Sequence, residues 1–295
     1  GFASMKIGYL GPNESTFGYL AAEKFFDQVK KTEGLETGFE FTPYKNHNEV
    51  CYAVGSKEVK YGVIAVENVI DGVVAETIRA IDNIDGQFGL KVCAEVVVPI
   101  ELFYMKKENN GALPKKLISH VVALRQCSHF VSKMQADGVA IELRDSTGAA
   151  AQEASTNPDI AVIASNNAAK ICNLQILNKE SVTDHKNSLT RFWIIGKEHA
   201  NKTGKDKTCF LINLEQSVSG SLWKALGVFA ERNINLLLIY PCPIPGKHWE
   251  YTFLIELRGY ITDPGIIDAW SEFRKLGLSL NPPRFIGSYP DVTSQ

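Results

Sequence analysis

Apolar positions fall into two rhythms along the chain. Short continuous runs read as buried strands: 6–10, 39–44, 61–66, 91–105, 116–120, 140–145, 159–165 and 191–196. Between several of them, apolar residues recur every three or four positions, as in TFGYLAAEKFFDQV and DGVVAETIRAIDNI, which predicts amphipathic helices. Strands alternating with helices argue for α/β layers. A polar stretch at 199–208 reads as a linker. Beyond it the pattern is strand (208–215), helix (219–233), strand (234–244), turn (245–248), strand (250–259), helix (263–277) and strand (280–290). The helix at 219–233 carries Leu222, Ala225, Leu226 and Phe229 on one face. The helix at 263–277 starts with Asp263 as its cap and Pro264 at its first position. The prolines near 280–290 suit only an edge strand. That order is βαββαβ, a ferredoxin-like unit.

Several strands end in small polar residues where a helix starts at once: GYLGPNESTFGYLAA, LISHVVALRQCSHF, LRDSTGAAAQEAS and VIASNNAAKIC. Each break offers a cap of the Ser/Thr/Asn/Asp type, and free N–H groups at helix starts bind carboxylates or phosphates. Most α/β proteins cap helices this way, so one such turn says little. Several in one domain favour a cleft for a small anion at the carboxyl ends of the strands.

Composition narrows the partners. With 31 Lys and Arg against 33 Asp and Glu, the formal charge is −2, and the basic residues are dispersed, so neither nucleic acid nor an anionic membrane is expected. The six cysteines and six histidines show no CxxC or HExxH spacing. Buried reduced thiols and no metal are the expectation. Residues 1–4, before Met5, look like an expression scar, and no apolar run approaches membrane length. A cytoplasmic protein follows.

Six stretches carry a resemblance: YLGPNESTFGYLAA (9–22), GVIAVENVIDGVV (62–74), LISHVVALRQCSHF (117–130), RDSTGAAA (144–151), NSLTRF (187–192) and GSLWKALGVFAERNINLLLI (220–239). Their order and spacing resemble the two-domain bacterial prephenate dehydratases from Lys6 to about Pro290. The resemblance implies an α/β fold with a two-lobed, periplasmic-binding-protein-like catalytic domain at 5–197 and a ferredoxin-like ACT regulatory domain at 207–290. Lobe 1 would comprise about 5–100 and 176–197, and lobe 2 about 101–175. It implies conversion of prephenate to phenylpyruvate without a cofactor, because aromatisation drives loss of CO2 and hydroxide. Such a site must hold two carboxylates, assist a leaving hydroxide and exclude water.

On residues alone, Thr190 reads as a strand-entry threonine and Glu67–Asn68 as a helix cap. The resemblance makes Thr190, Glu67, Asn68 and Gln126 the expected catalytic residues. It makes Arg191, Phe192, Thr16, Ser119, Ser146 and Thr147 the expected substrate contacts. Arg191 alternates to the opposite strand face from Thr190, so a structural ion pair is its other reading, and a plain core role is that of Phe192. His120 is expected as a hinge residue or a ligand contact, and Cys127 as a small buried residue. An effector site is implied at Gly220, Ser221, Leu222, Asn235 and Leu236. The chain departs from the family pattern at Gly18, Ala65, Val69, Val121 and Ser188. Tyr240-Pro241-Cys242-Pro243 stands where a Glu and an Arg are usual, and Pro241 removes a backbone donor. A weakened phenylalanine response, or another effector, is therefore expected. A divergent paralogue binding a related carboxylate, as a sensor or as a prephenate decarboxylase-like enzyme, is the alternative reading. A homodimer or homotetramer is expected.

Overall fold

The computed structural model describes residues 5–34, 36, 38–214, 218–277 and 282–293, with the side chains of 84–88 left aside. The proposed scar at 1–4 lies outside the described residues. The described residues form three sheets.

The first sheet uses strands β1 (Met5–Leu10), β2 (Phe39–Tyr44), β3 (Tyr61–Asn68) and β4 (Gly72–Val73), with helices α1 (Phe17–Glu33), α2 (His47–Gly55) and α3 (Ala75–Phe88) between and after them. It also takes β5 (Lys91–Pro99). The second sheet contains β6 (Phe103–Lys106), β7 (Lys116–Ser119), β8 (Ala140–Leu143), β9 (Ile160–Ala164) and β10 (Gln175–Ile176). Its helices are α4 (Val121–Gln126), α5 (Ser128–Ala136), α6 (Thr147–Ala154) and α7 (Asn166–Ile171). Strand β11 (Leu189–Gly196) then returns to the first sheet, whose order is β2-β1-β3-β11-β5 with β4 on β3. Pro43 sits in β2, the edge strand, where a missing N–H costs no ladder bond.

Two boundaries differ from the sequence expectation. The apolar run 91–105 is two strands in two sheets, broken at Ile100–Leu102, because periodicity cannot show where a run changes partners. The crossing back lies later than about 176. β10 pairs antiparallel with β6, and Val182 N–H still bonds Leu102 O at 2.8 Å.

The third sheet comprises β12 (Asp206–Ile212), β13 (Leu236–Pro243), β14 (Tyr251–Arg258) and β15 (Arg284–Pro290), with helices α8 (Ser221–Ala230) and α9 (Pro264–Leu276). The order is β13-β14-β12-β15, all antiparallel, so β15 lies at an edge. One face packs Phe210, Ile212, Ile255 and Leu257 under α8 and α9. The other face, with Cys209, Leu211, Leu254 and Tyr289, shares a core with Ile64, Val66, Val92 and Trp193 of the first sheet. The stretch read as a linker is tied down here, since Tyr260 Oη–H donates to Ala200 O at 2.7 Å.

Alternation along β11 therefore sorts its side chains between two neighbours. Phe192 and Ile194 join the cluster under α1, while Trp193 and Ile195 join the core shared with the third sheet. Trp193 is fully buried there.

Candidate active site

The carboxyl ends of β1, β7, β8 and β9 lead into the polar turns noted in the sequence, and the amino end of antiparallel β11 lies beside the carboxyl end of β3. Thr190 pairs with Asn68, and Arg191 with Glu67. Between Arg191 and Phe192 the register shifts, since Phe192 pairs with Ala65 and leaves Val66 as an extra residue. Such a bulge re-aims the side chains next to it.

Asn68 organises this corner. Its Oδ1 accepts the N–H groups of Ile70 (2.8 Å) and Asp71 (3.1 Å). Backbone N–H can only donate, so the amide orientation is fixed, and Nδ2 faces two hydroxyls. It donates to Thr190 Oγ1 at 2.9 Å and to Ser188 Oγ at 3.2 Å. Thr190 thus accepts from Asn68 and keeps its own proton for another partner. Asn68, Ser188 and Thr190 are all buried, which strengthens such bonds.

Arg191 turns away. Its guanidinium is held by three carboxylates: Glu95 (Nη1, 2.7 Å), both oxygens of Glu256 (Nη2 to Oε2, 2.9 Å) and Glu67 (Nη2 to Oε1, 3.3 Å). Burial opposes its charge, but Glu256 and Glu95 more than offset that and raise its pKa above the usual value. As a substrate contact Arg191 is poorly placed, because its donors point beneath the strand. Glu67 keeps about a third of its side chain exposed, 34%.

The opposite wall contributes Gln126, whose Nε2 donates to Asp71 Oδ2 at 2.6 Å. Asp71 was not singled out in the sequence; its only signal was a carboxylate directly after Asn68-Val69-Ile70. Ser165 Oγ–H donates to Ser15 O at 2.7 Å, and a Cβ at Gly148 would stand 2.7 Å from Ser15 Oγ. The two sheets therefore meet closely around this crevice. Val69, beside Asn68, is exposed.

The remaining expected contacts divide. Ser146 caps α6 through Ala149 N–H (3.0 Å), and Thr147 opens that helix, half-buried. Thr16 caps α1 and donates to Leu10 O (2.9 Å). Ser119 is fully buried, and its proton goes to Ile163 O (2.7 Å), so it presents no donor to a ligand. Phe192 is core, packed with Ile7, Tyr9, Val96 and Val98. His120 caps α4, its Nδ1 accepting from Val122 N–H at 3.3 Å; burial, then Arg125, pushes its pKa below the ordinary value despite Glu76 and Asp145. Cys127 is buried, and burial pushes its thiol up to about 12.

In the C-terminal unit, Gly220 takes the left-handed conformation (φ 79°) before α8. Ser221 Oγ–H donates to Val218 O at 2.8 Å. Leu222 and Asn235 are exposed, and Leu236 is half-buried. Among the described residues no group of His, Cys, Asp or Glu is placed to hold a metal ion, and no helix is long and apolar enough to cross a membrane.

Comparison with known proteins places the chain in a family. The prephenate dehydratase family model matches residues 7–200. A prephenate dehydratase of Lactococcus lactis subsp. cremoris is 33% identical, over 97% of this chain and 97% of its own. Among solved structures, a prephenate dehydratase from Arthrobacter aurescens in complex with L-Phe is 26% identical with a TM-score of 0.80, covering 99% of this chain and 92% of that one. A structure described as GqqA, a quorum quenching acylase, shares the fold at 21% identity and a TM-score of 0.76, covering 98% of each chain.

Proposed function

Since this chain belongs to the prephenate dehydratase family, we propose that Thr190, oriented by Asn68, assists the leaving hydroxide in its reaction. The protein is a carbon–oxygen lyase that converts prephenate to phenylpyruvate. The electron pair of the bond to the departing CO2 moves into the ring and expels hydroxide, which leaves as water once protonated. The ring becomes aromatic, so the protein has to place charge and donors rather than supply a redox group.

The carrying observation is the direction of one hydrogen bond. Asn68 Nδ2 donates to Thr190 Oγ1, so the Thr190 proton is available to an oxygen that gains negative charge. Glu67, paired at the strand ends with Arg191 and partly exposed, is the carboxyl proposed for the ring hydroxyl. Gln126 supplies an amide from the facing wall, once its bond to Asp71 is exchanged for substrate. The start of α6, with Ser146 and Thr147, suits a substrate carboxylate. Arg191 and Ser119 are left with supporting roles.

The test is incubation with prephenate and detection of phenylpyruvate. Thr190→Ala should lower kcat by about 10²-fold, the scale of one lost transition-state donor. Thr190→Ser should keep most activity. A folded Thr190→Ala enzyme with unchanged kcat would remove Thr190 from the mechanism.

The same reading takes 5–197 as a two-lobed, binding-protein-like catalytic domain. The second lobe is tied to its own sheet through Val182, and the chain rejoins the first sheet at Leu189. It takes 207–290 as an ACT regulatory domain, supported by the βαββαβ order. An effector site is placed at Gly220, Ser221, Leu222, Asn235 and Leu236. Ser221 already spends its proton on Val218, and Pro241 has no N–H, so the phenylalanine response should be weak. Tight binding in a phenylalanine titration would overturn that point. A cytoplasmic homodimer or homotetramer completes the reading, with sedimentation as its check.

A further inference from the structure

Apart from Glu67, the charged cluster beneath β11 is not used by the chemistry above, yet it holds Arg191, the residue next to Thr190. Glu256, on β14 of the third sheet, is 1% exposed. It accepts both terminal nitrogens of Arg191 and the hydroxyl of Tyr289 at 2.6 Å. Glu95 binds Arg191 and also Lys207 Nζ at 2.9 Å. Glu67, the member with about a third of its side chain exposed (34%), holds Arg191 through a single contact of 3.3 Å. The terminal nitrogens of Arg191 are thus shared among three carboxylates, and Glu256 takes the bidentate share. With Glu256 gone, Nη1 still has Glu95, whereas Nη2 would turn to Glu67, its other acceptor, and draw it inward.

We propose that Glu256 is a positioning residue for the dehydratase site: by engaging Arg191 it leaves the Glu67 carboxylate exposed at the end of β3 and fixes the mouth of β11 that carries Thr190. The C-terminal unit is then part of the site's scaffold, and any movement of β14 reaches the reacting groups through one guanidinium. This rests on the roles given above to Glu67 and Thr190.

Glu256→Gln keeps the side-chain volume and removes the charge. Its kcat for prephenate should fall by about ten-fold or more, with KM within about two-fold, as displacements away from the chemistry do. Glu256→Asp should recover part of the loss. In a Glu67→Gln background the Glu256→Gln substitution should add little further loss; full additivity would overturn the route through Glu67. A readout independent of turnover is amide exchange at Val69, whose N–H bonds Leu189 O at 3.0 Å across the mouth of β11. It should quicken in Glu256→Gln, and unchanged exchange together with unchanged kcat overturns the proposal. If the unmodified protein makes no phenylpyruvate, the dehydratase reading fails, and the exchange result alone decides the role of Glu256. Should Glu256→Gln not fold, Tyr289→Phe removes only the hydroxyl that steadies Glu256. It should give the same effects in smaller measure, and no effect on either readout counts against the proposal.

Discussion

At the residue scale, one amide sets the polarity of the site. Asn68 has its oxygen filled by two backbone N–H groups, so its nitrogen must face Thr190 and Ser188. Asn68→Asp keeps the shape and reverses the sense of the bond. The new carboxylate can only accept, so the Thr190 proton turns inward and is lost to the leaving hydroxide. We expect kcat to fall on the order of 10²-fold with the fold retained, and a kcat near that of the unmodified enzyme would show that the direction of this bond is immaterial. Without the family resemblance, Thr190 and Asn68 are only polar residues at strand ends in the sequence. Their contact spans 122 positions, which no local pattern reports. Ser188, which departs from the family pattern, accepts from the same amide at 3.2 Å and belongs to the arrangement.

At the element scale, the strand-to-helix turns behave as the capping pattern leads one to expect. Thr16, His120, Ser146 and Ser165 each accept an N–H at the start of their helix. Asp263 stands at the cap position of α9, but its carboxylate accepts from Tyr260 N–H at 2.9 Å, and its backbone oxygen takes the first helical N–H groups, of Ile266 and Ile267. His120 makes its cap titratable. Burial and Arg125 lower its pKa, so the folded state resists protonation more than the unfolded chain does. The sign follows: full stability above the ordinary value of 6.5, and loss as the pH falls below it, when the unfolded chain takes up the proton first. Buried His47 shifts the same way and adds to the trend. The unfolding midpoint should drop between about pH 7.5 and about pH 5.5, and His120→Asn, which retains a capping oxygen, should flatten that drop. An identical pH slope in the variant would clear His120 of the effect.

At the scale of the whole molecule, the third sheet is laid against the back of the first. They approach closely at Gly287 of β15, where an added Cβ would collide with the Val92 backbone of β5. Gly287→Val should cost about 1–3 kcal/mol in unfolding experiments, because backbone on backbone has no side chain to yield. A cost near zero would mean that the two sheets separate easily. The sequence by itself determined the kinds of elements, their helix starts, the βαββαβ order of the C-terminal unit, and the alternation that parts Thr190 from Arg191. All of these are local, with periods of two or three to four residues and caps read from adjacent positions. Tertiary structure alone decided that the run 91–105 divides between two sheets, that Asn68 reaches Thr190, that Asp71 meets Gln126, and that Glu256 closes on Arg191. Those contacts depend on register and on the joining of distant segments, and a buried charge shows its meaning only once its partner is known.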